Sequence, residues 1–219
     1  MISPTEWRTL SEAYAFLGNS LLEPMSQTSD AGLSPEFWEK FPTFGSKDIE
    51  CAVADCVAFG RMVVERIKVG GDAVESASVE YTHLFVGPPR PSAAPWETMH
   101  RREGANVGFG EPAFALQALL RDAGLKMSND NNQYADHMGI ELLYLSEMCR
   151  RAAETTNDAF DIDDVSVPHA PKAIVRFVTE HPLAWIGSLR AAVAEERPEG
   201  YFAPLLGVTE ALLRWHSQQ

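Results

Sequence analysis

The sequence is short of three things, and each shortage closes off a class of protein. Cysteine occurs only as Cys51, Cys56 and Cys149. An odd number without framework spacing excludes a disulfide scaffold, and the step from Cys51 to Cys56 is not the CxxC of a redox or zinc motif. Three reduced, packed thiols are expected. Positive charge is scarce: 18 Lys and Arg stand against 31 Asp and Glu, a formal net charge of −13. A surface that acidic repels nucleic acid and anionic membranes and attracts cationic partners. Long apolar runs are missing as well. No stretch approaches the roughly 18 uncharged apolar residues of a membrane span. The N-terminal MISPTEWRTLSEAYAFLG lacks a basic leader before an apolar run, so no secretory signal is expected and the chain reads as cytoplasmic.

Alternating β-branched runs are absent too, and helical periodicity fills the 219 residues. Ser3-Pro4 is an N-cap followed by proline at the first helical position, opening a helix with Trp7, Leu10, Tyr14 and Leu17 on one face. Ser34-Pro35 repeats that signal, and Ser46 caps a long helix closed by Gly70-Gly71. Asp72 starts a helix running through Tyr81 to Phe85, which Gly87-Pro88-Pro89 stops. Pro112 begins another, with Gly124 after its end. A strong helix is expected over 135–155, with Asp136 at its start and Met138, Leu142, Leu145 and Met148 as its stripe. Two more helices break at His181-Pro182, and a last one runs over 200–215. The acidic stretch at 158–164 reads as a solvated connection and the segment 128–133 as a turn. No fixed repeat appears. The reading is all-α: a single globular domain over 1–219 of about eight to ten helices.

The exception is an irregular, proline-rich loop at about 87–110. Ordered domains seldom carry so long a loop without a use for it. No phosphate loop, dinucleotide fingerprint or nucleophile elbow occurs; the glycines at 104–110 lack both a preceding strand and a following lysine. His137 and Glu141, four apart, share one helix face and could serve a metal, with His100 as a further candidate; two ligands do not make a site and HExxH is absent. No metal, cofactor or catalytic residue is assigned on this basis.

Two segments in this order carry a resemblance: EYTHLFVGPPRPSAAPWET at 80–98 and ADHMGIELLYL at 135–145. Tyr81, Leu84, Phe85, Gly87 and Pro88, then Pro95-Trp96, then Asp136-His137 with Glu141-Leu142, resemble the motifs of the TorD/DmsD family, the NarJ-like redox enzyme maturation chaperones. The chain departs from that pattern at Gln133-Tyr134-Ala135, where an acidic residue and a proline are common. Thr98 replaces a usual serine and His100 a usual aromatic.

The resemblance implies a chaperone, not an enzyme. Its partner would be the twin-arginine signal peptide, and the apo form, of a molybdenum-cofactor oxidoreductase of the dimethyl sulfoxide reductase type, with export delayed until the cofactor is inserted. The chaperone itself would be a monomer or a homodimer. Peptide-binding residues would be Tyr81, Leu84, Phe85, Trp96, Asp136, His137 and Glu141, with Gly87, Pro88 and Pro95 shaping the loop. Carboxylates suit guanidinium groups, and the net charge of −13 would speed encounter with a cationic peptide. The i, i+3, i+4 spacing of Tyr81, Leu84 and Phe85 equally fits a core stripe. Protonation of His137 beside Asp136 is expected to weaken peptide affinity as pH falls from about 8 to 6. The alternative reading is a helical metal-dependent enzyme using His137 and Glu141.

Overall fold

A computed structural model describes residues 2–101, 109–127, 133–155 and 166–219. The glycines at 104–108, most of the polar turn at 128–133 and the acidic connection at 158–164 lie outside the described residues. Among the described residues the regular elements are helices: α1 (Pro4–Leu22), α2 (Pro35–Trp38), α3 (Lys47–Lys68), α4 (Ala73–Tyr81), α5 (Glu97–Arg101), α6 (Glu111–Asp122), α7 (Met138–Glu154), α8 (Pro171–Glu180), α9 (Pro182–Glu196) and α10 (Phe202–His216). The fold is all-α. Within the described residues no helix is long and apolar enough to cross a membrane.

Side chains near the starts of α1 to α4 explain where those helices begin. Ser3 Oγ accepts from the Glu6 N–H at 3.3 Å while Glu6 Oε2 accepts from the Ser3 N–H at 2.7 Å, a reciprocal capping box. Ser34 accepts from Phe37, Ser46 from Ile49 and Asp72 from Glu75, so α2, α3 and α4 start where the sequence signals placed them.

The chain divides into two compact units. One comprises Met1–Leu22, Pro95–Trp185 and His216–Gln219. Its centre is α1 against α7, where the backbones come unusually close. A Cβ built on Gly18 would lie 2.9 Å from the Gly139 carbonyl oxygen, and one built on Gly139 would lie 2.7 Å from that of Gly18. Trp7, Leu10, Tyr14 and Leu17 on α1, and Met138, Leu142, Leu145 and Met148 on α7, are all buried as their periodicity requires. The Tyr14 hydroxyl and His216 Nδ1 share a 2.9 Å hydrogen bond in this core.

The other unit comprises Glu23–Ala94 and Ile186–Trp215. At the end of α4 the helix widens into one π-helical turn over Thr82–Val86, closed by the Gly87 N–H on the Thr82 carbonyl at 2.7 Å. Gly87 sits at φ 87°, and a Cβ there would run into the Arg90 carbonyl, so glycine is required for the chain to leave the helix. Glu80, on α4, accepts from the backbone N–H groups of Tyr201 at 2.9 Å and Phe202 at 3.1 Å and so caps α10 from a distant stretch of chain.

Two expectations are corrected. The proline-rich loop is interrupted by α5, because the start of that helix is held from outside its own sequence. The Glu97 N–H donates to the Asp136 carbonyl at 2.9 Å and the Thr98 N–H to the Asp136 carboxylate at 2.9 Å. Asp136 therefore does not begin the following helix. His137 is the N-cap of α7, its Nδ1 accepting from the Gly139 N–H at 3.0 Å.

Candidate functional site

The segment at 95–98 and the approach to α7 are zipped together. Trp96 and His137 form an isolated antiparallel bridge, and the Met138 N–H donates to the Pro95 carbonyl at 2.9 Å. Pro95, buried, thus fixes the start of α7 as well as shaping its own loop. The Asp136 carboxylate receives the Thr98 hydroxyl at 2.5 Å in addition to the Thr98 N–H, both on Oδ2. The residue standing where a serine is usual keeps the hydroxyl this contact needs. Burial raises the Asp136 pKa, and the two Thr98 hydrogen bonds only partly offset it.

His137 is wholly buried, and burial pushes its pKa down to about 3. With Nδ1 accepting from Gly139, the neutral ring carries its proton on Nε2. The expected pairing of a protonated His137 with Asp136 between pH 8 and 6 is therefore overturned: the imidazole does not titrate in that range, and it faces a backbone amide.

One turn along α7, Glu141 is also fully buried. Its Oε2 accepts from the Trp185 indole N–H at 3.1 Å. Burial, first, and the adjacent Glu97 carboxylate, second, raise its pKa well above the usual carboxylate range. Glu97, at the first position of α5, is 1% exposed. It is ion-paired to Arg101 and lies 3.1 Å from His181 Nδ1 through Oε2. Glu97, Glu141 and His181 each bring one potential metal-ligand atom, all within 4.8 Å of one another. The ligand-type groups that meet are thus not His137 with Glu141; His137 is committed to its helix cap.

Buried side-chain atoms left without a hydrogen-bond partner among the described residues gather here: Trp96 Nε1, Asp136 Oδ1, His137 Nε2 and Glu141 Oε1, whereas Glu97 Oε1 is met by the Arg101 guanidinium. Such atoms are uncommon in folded proteins and ask for an explanation. Trp96 is the half-buried member that reaches the surface, edge-on to Tyr134 at 5.9 Å between ring centroids and to His137 at 6.2 Å. Phe109 and Phe114, both exposed, continue the row beyond Tyr134.

Of the residues expected at a binding site, Trp96, Asp136, His137 and Glu141 share this unit and this cluster. Tyr81, Leu84 and Phe85 belong to the other unit, where all three are buried. Phe85 packs edge-on against Phe202 at 4.9 Å and against Tyr81 at 5.4 Å, which is the core role their spacing equally allowed. Sequence reasoning missed Glu97, His181 and Trp185. Only the helix break at His181-Pro182 marked any of them.

A family model described as "Nitrate reductase delta subunit" matches residues 55–191. Among curated proteins, "Chaperone protein TorD" of Vibrio cholerae serotype O1 is 25% identical over 123 residues, 56% of this chain and 52% of that protein. The TorD chaperone of Photobacterium profundum is 20% identical over 174 residues, 80% of this chain and 70% of that protein. A "Perchlorate reductase assembly chaperone protein" of Dechloromonas aromatica is 21% identical over 161 residues, 74% and 68% respectively. The chain spans about half the length of the Vibrio cholerae relatives it matches. No solved structure matches. With more than half of its residues inside the family model, this chain belongs to the nitrate reductase delta subunit family, the family of the NarJ and TorD proteins.

Proposed function

We propose that this chain is a cytoplasmic maturation chaperone that binds the twin-arginine leader of a molybdenum-cofactor oxidoreductase of the dimethyl sulfoxide reductase type, and its apoenzyme, and delays export until the cofactor is in place. It acts by binding and catalyses no reaction. The family membership supports a chaperone, as do the names of the relatives. The observation that carries the peptide reading is the set of unmatched atoms beside Trp96. Among the described residues Trp96 Nε1 and His137 Nε2 are donors without acceptors, and Asp136 Oδ1 is an acceptor without a donor. An extended peptide supplies both complements, its backbone carbonyls to the two N–H groups and an arginine guanidinium to the carboxylate. A free metal or a small anion supplies only one kind.

Tyr81, Leu84 and Phe85 serve this function as the packed base of the turn at Gly87-Pro88. Trp96 meets the peptide at the surface, and Asp136 and His137, buried beside it, meet it where the segment at 95–98 gives way. Glu141 acts behind them. The test is calorimetric titration of the full chain with a twin-arginine leader and its twin-lysine variant. Micromolar binding is expected, weaker for the lysine peptide and weaker again in Trp96→Ala and Asp136→Ala. Equal affinity for the two peptides, or no loss in either variant, would remove the reading.

A further inference from the structure

We propose that Glu97, Glu141 and His181 form a binding site for a first-row divalent cation, of the kind represented by Zn²⁺. The site goes beyond the leader reading and uses atoms which that reading leaves aside.

Three separate elements deliver the ligands. Glu97 opens α5, anchored through its own N–H to the Asp136 carbonyl at 2.9 Å. Glu141 lies one turn into α7. His181 stands between α8 and α9, at φ −115° and ψ −98°, where the following Pro182 forbids a continuous helix. Each side chain is thus set by backbone that the fold already holds in place.

The spacing suits an ion. Glu97 Oε2 and His181 Nδ1 are 3.1 Å apart. Adjacent ligands bound at about 2.1 Å lie roughly 3.0–3.4 Å from one another in octahedral or tetrahedral geometry. All three ligand atoms fall within 4.8 Å, so the widest pair need close in by at most roughly 1.4–1.8 Å to complete the set.

The charge balance points the same way. Two carboxylates meet where Glu97 is 1% exposed and Glu141 is fully buried, and Arg101 pairs with only one of them. A buried carboxylate pair is relieved either by a proton held on one member or by positive charge, and a divalent ion, which displaces that proton, matches two carboxylates. The wholly buried Glu141 Oε1 has no hydrogen-bond donor among the described residues, and the Glu97 carboxylate acts on Glu141 from close by. The other Glu141 oxygen is oriented by the Trp185 N–H at 3.1 Å, the outer-sphere hydrogen bond that metal-binding carboxylates commonly keep.

The donor set selects the class of ion. Two oxygens and one imidazole nitrogen suit Zn²⁺, Mn²⁺ or Fe²⁺; there are too few oxygens for Ca²⁺ and no sulfur for Cu⁺. Three protein ligands leave at least one position for water or for a group of a bound partner. The His181 side chain is 15% exposed and gives an entry edge.

The experiment uses full-length protein stripped with a chelator, titrated with Zn²⁺ by calorimetry and with Co²⁺ by visible absorption. One equivalent is expected, with Co²⁺ bands of a nitrogen–oxygen site. Glu141→Gln and His181→Asn, each checked for folding by circular dichroism, should lower Zn²⁺ affinity at least about tenfold. His83→Asn, which breaks the exposed His83–Glu196 pair, should leave it unchanged. His181→Asn lies at the edge of the site and keeps the test intact should Glu141→Gln fail to fold. Absence of Zn²⁺ binding at millimolar concentration overturns the proposal. So does binding that survives both ligand variants, which would mark an adventitious ion only.

Discussion

Replacing Gly18 by alanine pits two known effects against each other, and the structure decides which wins. An interior helical glycine costs about 0.5–1 kcal/mol relative to alanine, so substitution alone should stabilise α1. At Gly18, however, the new methyl carbon would lie 2.9 Å from the Gly139 carbonyl oxygen and 3.0 Å from Leu143 Cγ. The first neighbour is backbone of a packed helix and cannot rotate away, so α1 and α7 must separate. Overpacking of this kind costs about 1–3 kcal/mol, which leaves a net destabilisation of up to about 2.5 kcal/mol, centred near about 1 kcal/mol. Gly187, inside α9, is the matched control: its added Cβ would meet nothing nearer than Glu210 Oε1 at 3.9 Å. Gly187→Ala should stabilise by about 0.5–1 kcal/mol. For a chain of this size the two variants should therefore bracket the wild-type midpoint, each displaced by about 2–4 °C per kcal/mol. Urea and thermal unfolding followed by circular dichroism measure this directly. A Gly18→Ala variant as stable as Gly187→Ala would refute the argument from close backbone approach.

The buried histidines should show in the pH dependence of stability. Burial holds His216 at about 3 against an ordinary 6.5, so below pH 6.5 the unfolded chain takes up a proton that the folded one refuses. Stability is complete above that range and falls with pH inside it. Wild type should lose about 1 kcal/mol relative to His216→Asn between pH 6.5 and 5.5, and a constant difference in urea titrations would contradict the assignment. His137, also held near 3, should set the level of leader affinity without bending it between pH 6 and 8. Calorimetry of His137→Asn across that range should run parallel to wild type; a wild-type step near pH 6.5 that the variant lacks would show a titrating ring. Trp185→Phe removes a neutral donor to Glu141 and should cost about 1–3 kcal/mol in urea unfolding, the penalty of leaving a buried acceptor unmet, against near-neutrality if Glu141 Oε2 does not need that bond. Trp96→Ala and Asp136→Ala should be non-additive in leader affinity, with a coupling of at least about 0.5 kcal/mol by double-mutant cycle; simple additivity would mean the two act apart.

Much of the helical framework was legible because its signals are local. Ser34, Ser46 and Asp72 accept from amides three residues on, and the stripes of α1 and α7 need only one helix each to be read. The region around Trp96 resisted the same treatment because its determinants are remote. The α5 N-terminus is satisfied by Asp136, 38 residues from Thr98, and the Glu97–His181 contact spans 84 residues. Glu97 follows Trp96 directly, yet nothing in its neighbours announces that it is buried. Tyr81, Leu84 and Phe85 illustrate the converse. Their spacing fitted a core stripe and a binding face equally, and only packing against Phe202 shows which role the fold uses.

The Asp136-His137 pair makes the same point at the level of chemistry. Side by side in sequence, an acid and an imidazole invite the assumption that they serve each other. The bridge with Trp96 turns them to different tasks: the carboxylate reaches back to Thr98 on α5 and the ring reaches forward to the amide of Gly139 on α7. Each thereby ties one helix start to the short extended segment between them. Gly139 is also where α7 meets Gly18 of α1, so the cap and the closest helix contact fall on one residue. A partner that draws on Trp96 or on Asp136 Oδ1 must pull against the beginnings of both α5 and α7. Through that linkage a peptide held at the surface by Trp96, as proposed above, would be felt in the core of its unit.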